Sequence, residues 1–484
     1  MACTWRLLAA ALIPWLTSGR GAAVVAADNG VEVAQPNVVL IFVDDLGYGD
    51  IGPFGNTQLR TPHLDRMAAE GMKFTSFYAT PVCSMSRACL LTGCYNTRVS
   101  VPGVLSPRDV SGLHPEEITL AEIVQPRGYA TICIGKWHLG HREPFLPTQQ
   151  GFDAYFGIPY SNDMTIDPQH ARFSPDCVFR EGFTEATARA RAIPHKVPLM
   201  RGAEIVEYPA DQATLTQRYT REAIQFIRDH KDRPFFLYLP HTMVHLPLAA
   251  SKEFRGRSGA GLLGDAIEEL DWSVGQILQT LAELQLDART LVIFTSDNGA
   301  ATGSSAPWRG KKGSVYEGGV REPCIMRWPG RIPAGTSCGQ IAGNIDLLPT
   351  IAQLVGTSLP QDRVIDGRDI RSLMFQADAP PVRDTHLHFH RGSNLAAIRQ
   401  GDWKLVLVPP GGRDRPGKAA QPDNARPPKT GWELYHLTDD PTESRNVAAE
   451  HPEVVARLRD EARQRAAEIE ANRRPVGRVP NSGA

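Results

Sequence analysis

The chain has 484 residues, with 52 lysines and arginines against 53 aspartates and glutamates and a formal net charge of −1 at pH 7. This length exceeds that of one small domain and suffices for one large domain together with a smaller one. The balanced charge argues against a nucleic-acid-binding face or a polybasic membrane patch, so we expect neither nucleic acid nor a membrane surface as a partner.

The N-terminus has the pattern of an export signal. Arg6 precedes an apolar run of about ten residues, which is too short to span a bilayer. Small residues follow, and Val25-Ala26-Ala27 fits a cleavage site before Asp28. We therefore predict a signal peptide over residues 1–27 and an exported chain. No later stretch is apolar enough for a membrane helix, so we expect no membrane insertion.

Cysteines and glycosylation sites refine the predicted compartment. Beyond Cys3 in the predicted signal, cysteines stand at positions 83, 89, 94, 133, 177, 324 and 338. Cys324 and Cys338 are the best candidates for a local disulfide, although two buried free thiols fit equally well. The sequence contains no N-x-[ST] sequon, which a lysosomal protein sorted by its N-glycans would need. This favours a bacterial periplasm or secretion over the lysosome.

Strand and helix patterns alternate through the first three quarters of the chain. The run Asn37–Val43 is apolar and β-branched, which is typical of a strand buried on both faces of a parallel sheet. Further strands are predicted over 129–135, 234–239, 290–296 and 324–328, and helices over 61–71, 84–92, 117–125, 212–230, 262–284 and 346–354. This alternation predicts an α/β sandwich with a large, mostly parallel sheet between helices.

The pattern changes after residue 376. Short alternating strands are predicted over 385–390, 394–399, 403–408 and 432–437, followed by a charged helix over 452–472. Residues 409–431 are rich in Pro, Gly, Lys and Arg and predict an exposed loop, and the tail from Arg473 is predicted to be disordered. We therefore predict a large domain over 28–376 and a smaller C-terminal subdomain over 377–484, built from an antiparallel sheet and one helix.

The stretch Pro81–Gly93, P-V-C-S-M-S-R-A-C-L-L-T-G, is the most distinctive of the chain. Small and hydroxyl residues after Cys83 begin a predicted helix, whose first backbone N–H groups are free to face an anion. Arg87 lies one helical turn after Cys83, which places a cation beside that side chain. Taken alone, Cys83 also fits a structural cysteine near a helix start.

Two predicted strands end in acidic or amide side chains. Asp44 and Asp45 follow the first strand, and Asp297 and Asn298 follow the strand over 290–296. Open α/β sheets bind ligands at the carboxyl ends of their strands. Adjacent carboxylates repel each other unless a cation lies between them, and oxygen ligands suit Ca²⁺ or Mg²⁺. An acidic turn would explain the Asp-Asp pair alone, but the second acidic strand end favours a hard-cation site over a zinc site.

Cationic and hydrogen-bonding side chains follow other strand ends. They are Lys136 and His138 in G-K-W-H, His241 and His245 in H-T-M-V-H-L-P, Lys312 in G-K-K-G-S-V-Y-E-G-G, and Ser161 and Asn162 in G-I-P-Y-S-N-D. A glycine-rich loop such as the one around Lys312 can wrap an anion. A solvated lysine and a packed histidine are the ordinary alternatives for each residue taken singly.

The string around Cys83 resembles the signature C-x-P-S-R-x-x-x-L-T-G of the formylglycine-dependent sulfatases, in the arylsulfatase type of the alkaline-phosphatase-like superfamily. It departs from that signature at one fixed position, where Met85 replaces proline. The string G-Y-A-T-I-C-I-G-K-W-H also matches a signature of this family. The resemblance implies an alkaline-phosphatase-like fold and a sulfuric ester hydrolase that cleaves aryl or carbohydrate sulfate monoesters.

In that family the signature cysteine becomes a formylglycine, whose hydrate is the nucleophile. The resemblance therefore implies that a formylglycine-generating enzyme converts Cys83 during maturation. It implies one Ca²⁺ held by Asp44, Asp45, Asp297, Asn298 and the converted Cys83. It implies that Arg87 and Lys136 hold the hydrate and that His138 contacts its second hydroxyl. It further implies that His245 and Lys312 contact the sulfate ester. Ser161 matches some arylsulfatase-type members only.

The mechanism expected from these residues follows from charge. Sulfuryl transfer spreads negative charge over several oxygens, which cations can stabilise. The cation and Asp297 would activate one hydroxyl of the hydrate, and His245, with Lys312, would protonate the departing oxygen. His138 would then take the proton of the second hydroxyl and expel sulfate. An ordinary serine or cysteine has no second hydroxyl and would remain sulfated.

Two alternatives stay open at the level of sequence. The first is a phosphoester or phosphonate hydrolase of the same superfamily, although a two-zinc version would need more His and Asp ligands at the strand ends. The second is an inactive binding relative whose Cys83 is never converted. Met85 is the only support for it, because proline favours the extended backbone that a modifying enzyme would read. The physiological substrate depends on loops whose shape the sequence does not give.

Overall fold

The computed structural model describes residues 1, 35–108, 110–165, 171–390, 392, 394–408 and 431–479. Residues 35–484 form one compact unit of their own. The predicted signal peptide beyond Met1 and residues 409–430 of the predicted loop lie outside the described residues.

Strands and α-helices of the described residues are numbered in chain order. The strands are β1 (Asn37–Val43), β2 (Met72–Tyr78), β3 (Ser111–Gly112), β4 (Ala130–Lys136), β5 (Ala154–Ile158), β6 (Phe173–Phe179), β7 (Leu199–Arg201), β8 (Glu204–Tyr208), β9 (Phe235–Pro240), β10 (Thr290–Ser296), β11 (Arg321–Arg327), β12 (Thr336–Cys338), β13 (Ala342–Gly343), β14 (Thr385–His390), β15 (Asn394–Gln400), β16 (Trp403–Val406), β17 (Glu433–His436) and β18 (Gly477–Arg478). The helices are α1 (Pro62–Ala69), α2 (Cys83–Thr92), α3 (Leu120–Val124), α4 (Glu185–Ala190), α5 (Leu215–Asp229), α6 (Gly261–Glu283), α7 (Glu317–Val320), α8 (Leu347–Val355), α9 (Arg371–Phe375) and α10 (Pro452–Ala471).

One large sheet forms the centre of the unit. Its strand order is β12-β2-β11-β10-β1-β9-β4-β5-β7-β8-β6, with β13 also paired to β2. The five central strands, from β10 to β5, are parallel, and antiparallel β11 and β7 flank them. Together with the helices on its faces, this sheet confirms the predicted α/β sandwich with a mostly parallel sheet.

The two faces of β1 show how the sheet is held between helices. Val38 and Phe42 belong to the buried cluster that contains residues of α2, α3 and α8. Val39 and Val43 belong to the cluster that contains residues of α1, α5 and α6. Successive side chains of a strand point to opposite faces, and full burial of an aliphatic side chain contributes about 1.5–3 kcal/mol. The strand that leads into Asp44 is therefore fixed on both sides.

The C-terminal part forms a second, smaller layer. Strands β14, β15, β16 and β17 pair antiparallel in that order, which confirms the predicted small antiparallel sheet. Leu458 of α10 and Leu405 of β16 lie in one buried cluster, which also contains Val82 and Met85. The small sheet thus packs onto the beginning of α2.

The predicted disorder from Arg473 onward is wrong for residues 473–479. Arg474 forms an ion pair with the buried Glu117 at 2.7 Å, and its backbone N–H donates to the carbonyl of Arg98 at 2.7 Å. Further on, β18 pairs with β3. The composition of the tail carries no sign of these partners, because they lie more than 350 residues earlier in the chain.

The cysteines of the described residues decide between the predicted disulfide and two free thiols. All seven cysteines there are free, so Cys324 and Cys338 are two buried thiols rather than a disulfide. No helix within the described ranges has the length and apolar composition needed to cross a bilayer.

Candidate active site

Cys83 is the first residue of α2, one residue earlier than the predicted helix start. The chain enters through Val82 in an extended conformation, and no side chain caps the helix. Gly93 ends the helix in the left-handed region, with φ 67°, and its N–H donates to the carbonyl of Cys89 at 2.9 Å. No side chain therefore caps the N–H groups of the first turn, which begins at Cys83, and Cys83 is only 2 % exposed.

The two acidic strand ends meet, as the parallel sheet predicts. Val43 of β1 pairs with Ser296 of β10, so the residues that follow each strand are neighbours. The backbone N–H of Asp45 donates to Asp297 Oδ1 at 3.1 Å, and Asn298 Nδ2 donates to Asp45 Oδ1 at 2.8 Å. Asp45 adopts a left-handed conformation with φ 62°, which turns the chain towards the second strand end.

The oxygen atoms of this cluster fit a hard cation. One oxygen or sulfur atom from each of Asp44, Cys83 and Asp297 lies within 4.8 Å of the others. Among the described residues, Asp44 Oδ1 and Asn298 Oδ1 are buried and have no hydrogen-bond partner. Unsatisfied buried oxygens are costly, and a bound cation would satisfy both. Asp45 lies beside this group, and its carboxylate is engaged by Asn298 and Lys312.

Two buried cations bind these carboxylates: Arg87 in α2 and Lys136 at the end of β4. Arg87 Nη2 donates to Asp297 Oδ2 at 2.7 Å, and its Nη1 donates to the carbonyl of Lys136 at 2.8 Å. Lys136 Nζ donates to Asp44 Oδ2 at 2.5 Å. All four side chains are completely buried, so each charge depends on its partners.

This arrangement separates the pKa values of the two neighbouring carboxyl groups. Burial opposes ionisation of Asp44, but Lys136, His245 and Arg87 outweigh it and hold the pKa of Asp44 below its ordinary value. Burial and the charge of Asp44 raise the pKa of Asp297 to about 7, although Arg87 acts in the opposite direction. Without a cation the site therefore favours one ionised carboxylate and one that is poised to ionise near neutral pH.

His138 lies completely buried beside this cluster, with a left-handed backbone at φ 60°. Its Nε2 lies 3.1 Å from the carbonyl oxygen of Leu105, which can only accept, so Nε2 carries the proton. Its Nδ1 is buried without a hydrogen-bond partner among the described residues. Burial, Lys136 and Arg87 hold the pKa of His138 well below its ordinary value. Its neutral Nδ1 is therefore free to accept a proton.

His245 and Lys312 flank Asp45 on the partly exposed side of the site. Lys312 Nζ donates to Asp45 Oδ1 at 2.5 Å, and His245 Nε2 lies 3.8 Å from Asp45 Oδ2. The side chain of Lys312 is 18 % exposed and that of His245 is 12 % exposed, whereas that of Asp45 is 1 % exposed. Burial lowers the pKa of His245. Burial also opposes the charge of Lys312, but Cys83 and Asp45 outweigh it and raise the pKa of Lys312.

Ser161 and Asn162, both buried, are less closely tied to this cluster. Ser161 Oγ donates to Asp163 Oδ1 at 2.5 Å, and the backbone carbonyl of Asn162 accepts from Gln212 at 2.8 Å. Within the described structure, the side-chain hydrogen bond of Ser161 is to Asp163 and not to Asp44, Asp297 or Cys83. His241 is a packed histidine: it is 1 % exposed, and burial lowers its pKa to about 3.

Glu322 is a site-proximal residue that the sequence reasoning missed. It is completely buried in β11, and neither carboxylate oxygen has a hydrogen-bond partner among the described residues. Burial and the charges of Asp297 and Asp45 raise its pKa well above the ordinary value, which favours the protonated form. The available signal was an acid just before the apolar run Pro323–Met326.

Comparison with known proteins identifies the family. The sulfatase family model matches residues 36–357. The chain belongs to the sulfatase family. Models for the C-terminal part of N-sulphoglucosamine sulphohydrolase and for the C-terminal region of aryl-sulfatase match residues 308–407 and 382–481.

Curated relatives support the same assignment for this sulfatase over most of its length. It is 40 % identical to N-acetylgalactosamine-6-sulfatase of Canis lupus familiaris over 396 residues, which is 76 % of this chain and 71 % of the relative. It is 38 % identical to arylsulfatase A of Homo sapiens over 455 residues, covering 89 % and 88 % of the two chains. These relatives are named for sulfate ester hydrolysis, and this sulfatase is a sulfate ester hydrolase, as predicted.

Solved structures agree with the fold. The PsFucS1 sulfatase from Pseudoalteromonas sp. superposes with a TM-score of 0.76 at 25 % identity, covering 92 % of each chain. A protein described under glycosaminoglycan metabolism by Bacteroides thetaiotaomicron superposes with a TM-score of 0.73 at 29 % identity, covering 90 % of this chain and 99 % of that one. The predicted alkaline-phosphatase-like sulfatase architecture is thereby confirmed.

Proposed function

We propose that this sulfatase hydrolyses sulfate monoesters of carbohydrates or aryl alcohols through a formylglycine made from Cys83, with one Ca²⁺ bound at the two acidic strand ends. The observation that carries the proposal is the position of Cys83. It begins an uncapped helix within 4.8 Å of Asp44 and Asp297, and Lys136 and Lys312 both act electrostatically on its thiol. The proposed nucleophile, two proposed metal ligands and two lysines that can bind an anion therefore lie close together.

The cysteine itself is poorly suited to be the nucleophile. Burial raises the pKa of the Cys83 thiol above its ordinary value, so the reactive thiolate is disfavoured. As a hydrated formylglycine, the same position would supply two hydroxyl groups on one carbon, one for attack on sulfur and one for the later release of sulfate.

Asp44, Asp45, Asp297 and Asn298, with the converted Cys83, are the residues proposed to hold the metal. Their donor atoms are oxygens, which favour Ca²⁺ over softer metals. When bound, the cation would supply positive charge that stabilises negative charge developing on nearby oxygens. Arg87 and Lys136 keep Asp297 and Asp44 in place by direct ion pairs.

His138 is proposed as the base of the second step. Leu105 fixes the proton on Nε2, and the buried Nδ1 is left with its lone pair. A neutral imidazole with a fixed tautomer can take the proton of a hydroxyl at Cys83, which drives the release of sulfate.

Lys312 and His245 are proposed to act at the sulfate ester. The raised pKa of Lys312 keeps it cationic, so it can neutralise charge on the transferring group. His245 Nδ1 lies 2.6 Å from the carbonyl oxygen of Leu246, so Nδ1 carries a proton and Nε2 faces the site. When Nε2 is also protonated, His245 can donate to the departing oxygen.

The substrate class and the cellular setting complete the proposal. One structural neighbour, at 26 % identity, was solved in complex with a neocarrahexaose, and curated relatives include a sulfatase named for N-acetylgalactosamine 6-sulfate. A sulfated saccharide fits these relatives best, and Ser161 is proposed as a contact to it. The N-terminal pattern supports export to a bacterial periplasm or beyond, after conversion by a formylglycine-generating enzyme.

The test is expression with and without a formylglycine-generating enzyme, followed by peptide mass spectrometry across Cys83 and assays with 4-nitrophenyl sulfate and 4-nitrophenyl phosphate. We expect an aldehyde at Cys83, activity on the sulfate in proportion to conversion, and no activity in Cys83→Ala. Cys177→Ala, at a half-buried cysteine elsewhere in the chain, is the control and should stay active. Full activity of unmodified protein would refute the nucleophile, and faster turnover of the phosphate would favour a phosphoester hydrolase.

A further inference from the structure

A cavity of about 490 Å³ is lined by residues 106–108, 163–165, 189–192 and 194. This volume lies within the range of small-molecule sites, about 300–1,000 Å³. None of the residues proposed to bind the metal or the sulfate ester lines the cavity.

The first wall of the cavity begins beside the proposed active site. Leu105 precedes the first wall, and its carbonyl contacts His138 Nε2 at 3.1 Å. The N–H of Leu105 donates to Ser84 Oγ at 3.0 Å, beside Cys83. Asp163 in the second wall accepts a hydrogen bond from Ser161. A substrate whose sulfate lies at Cys83 would therefore have the cavity next to it.

The described residues that line the cavity include more cationic than acidic side chains. Arg108 and Arg191 are exposed, and within the described ranges neither guanidinium has a carboxylate or another hydrogen-bond acceptor. Arg189, by contrast, is paired with Glu185 at 2.7 Å. Among the described residues of the lining, Asp163 is the one carboxylate, so Arg108 and Arg191 outnumber it. Charge of one sign in a concave surface concentrates the field and attracts counter-ions.

The lining also contains apolar side chains. Pro107, Met164 and Pro194 contribute apolar surface, beside the hydroxyl groups of Ser106 and Thr165. A planar guanidinium binds a carboxylate or a sulfate through two parallel hydrogen bonds, and apolar side chains can pack on the face of a sugar ring. An uncharged aryl group would leave both arginines without a partner.

We propose that this cavity is a subsite for a second anionic group of an oligosaccharide substrate, namely a carboxylate or a second sulfate on a sugar beside the one whose ester is cleaved. Arg108 and Arg191 bind that group. The proposal rests on the proposed function, because it assumes that the reactive sulfate lies at Cys83.

The kinetic test compares three substrates on the converted enzyme. They are 4-nitrophenyl sulfate, a disaccharide with one sulfate ester and one uronic carboxylate, and the same disaccharide with its carboxyl reduced to an alcohol. We expect Arg108→Ala and Arg191→Ala each to raise KM for the acidic disaccharide about five- to tenfold and to leave the other two substrates within about twofold. Arg221→Ala, which removes an exposed arginine of α5 away from the cavity, is the matched control and should leave all three unchanged.

A binding test keeps the proposal separate from turnover. Isothermal titration uses three disaccharides without the cleavable ester: the uronate, its neutral reduced analogue, and that analogue with one sulfate at the position of the carboxylate. We expect the two anionic ligands to bind the wild type more tightly than the neutral one, and the two arginine variants to lose that preference. The ligand with the larger loss identifies which anion the subsite prefers.

The outcomes distinguish the two proposals. Equal binding of the acidic and reduced disaccharides by the wild type would overturn the subsite. An equal loss of affinity for the anionic ligands in Arg108→Ala and Arg221→Ala would also overturn it, because it would indicate only long-range attraction. A wild type that binds the anionic disaccharides selectively but hydrolyses no sulfate ester would contradict the proposed function and leave the subsite standing.

Discussion

The ammonium group of Lys404 in β16 lies 2.7 Å from a carboxylate oxygen of Glu317, the residue that begins α7 just after the loop of Lys312. Glu443 lies 2.9 Å from the same ammonium, and all three side chains are completely buried. The N–H of Gly313 in that loop donates to the carbonyl of Pro81, two residues before Cys83, at 2.8 Å. The C-terminal sheet is thus joined through buried charges to the loop that presents Lys312.

We expect Lys404→Met to reduce both stability and activity. It leaves Glu443 buried without its cation, and it leaves Glu317 with Arg321, at 3.1 Å, as the remaining ion-pair partner. Removal of one member of a buried ion pair typically costs about 3–5 kcal/mol in the free energy of unfolding. The loop of Lys312 loses its anchor, so kcat/KM should fall about tenfold. Lys404→Arg keeps the charge and should recover part of both, as measured by urea unfolding and steady-state kinetics.

A double-mutant cycle separates positioning from general destabilisation. In a Lys312→Ala background, Lys404→Met should still lower stability but should cause almost no further loss of kcat/KM. A further tenfold loss in that background would show that Lys404 acts independently of Lys312.

Met85→Pro is expected to raise the fraction of Cys83 that is converted to formylglycine. Met85 is the third residue of α2, where a helix leaves the backbone N–H unpaired, so proline removes no helical hydrogen bond. It does remove a side chain that is 0 % exposed, at an expected cost of about 1–3 kcal/mol. Met85→Ala removes the side chain without restoring proline and is the control. Peptide mass spectrometry gives the converted fraction, and an equal fraction in all three proteins would mean that Met85 is fully tolerated.

Metal binding is expected to depend on Asp44 and Asp297 and to strengthen with pH. Because burial and Asp44 raise the pKa of Asp297 to about 7, this ligand must lose a proton to bind a cation. Apparent Ca²⁺ affinity, measured by calorimetry, should therefore rise as pH increases towards about 7 and then level off. Asp297→Asn should abolish turnover and flatten this dependence. Activity that survives thorough chelation, or two zinc ions by elemental analysis, would refute the site.

The two histidines should differ in their response to the leaving group. If His245 protonates the departing oxygen, His245→Ala should harm turnover of sugar sulfates far more than that of activated aryl sulfates. His138→Ala should instead give a burst of alcohol followed by slow turnover with every substrate, because its step follows alcohol release. Rates across aryl sulfates of graded phenol pKa, with intact-mass analysis for bound sulfate, measure both effects. Equal slopes for wild type and His245→Ala would transfer the acid role to Lys312.

Turnover of sugar sulfates should be fastest at acidic pH. Burial lowers the pKa of His245 below its ordinary value of 6.5, and the acid role requires the protonated form. The rate should therefore fall as pH rises through a midpoint below 6.5, and this limb should disappear in His245→Ala. An activated aryl sulfate needs no acid and serves as the internal control; the same limb with that substrate would assign it to another group.

The parts of the site that follow from sheet geometry were predictable from sequence. Strands β1 and β10 are continuous apolar runs, and parallel strands place the residues after each run at one edge. The proximity of Asp44 and Asp297 could therefore be predicted from two short patterns, each an apolar strand followed by an acidic residue. The predicted start of α3 at Glu117 was wrong: Thr119 and Glu122 form a capping box, which sets the first helical residue at Leu120.

Other parts depend on partners that no local pattern reveals. The proton position of His138 is set by a backbone carbonyl in a loop, Leu105, which has no side-chain signature. Lys404 stands in a short strand where a lysine would ordinarily reach solvent, and only two distant carboxylates allow it to be buried. Edge strand β6 alternates irregularly between exposed and half-buried positions, so no strand could be predicted there from the spacing of its apolar residues.

The burial of Cys83 has a consequence for the order of events during synthesis. The start of α2 is covered by the C-terminal sheet, since Met85 shares a buried cluster with Leu387 and Phe389. Those covering residues are translated about three hundred positions after Cys83. A modifying enzyme therefore has access to Cys83 only while the later part of the chain is still being made or has not yet folded. At about 5–20 residues per second, translation alone keeps that interval open for roughly 15–60 seconds.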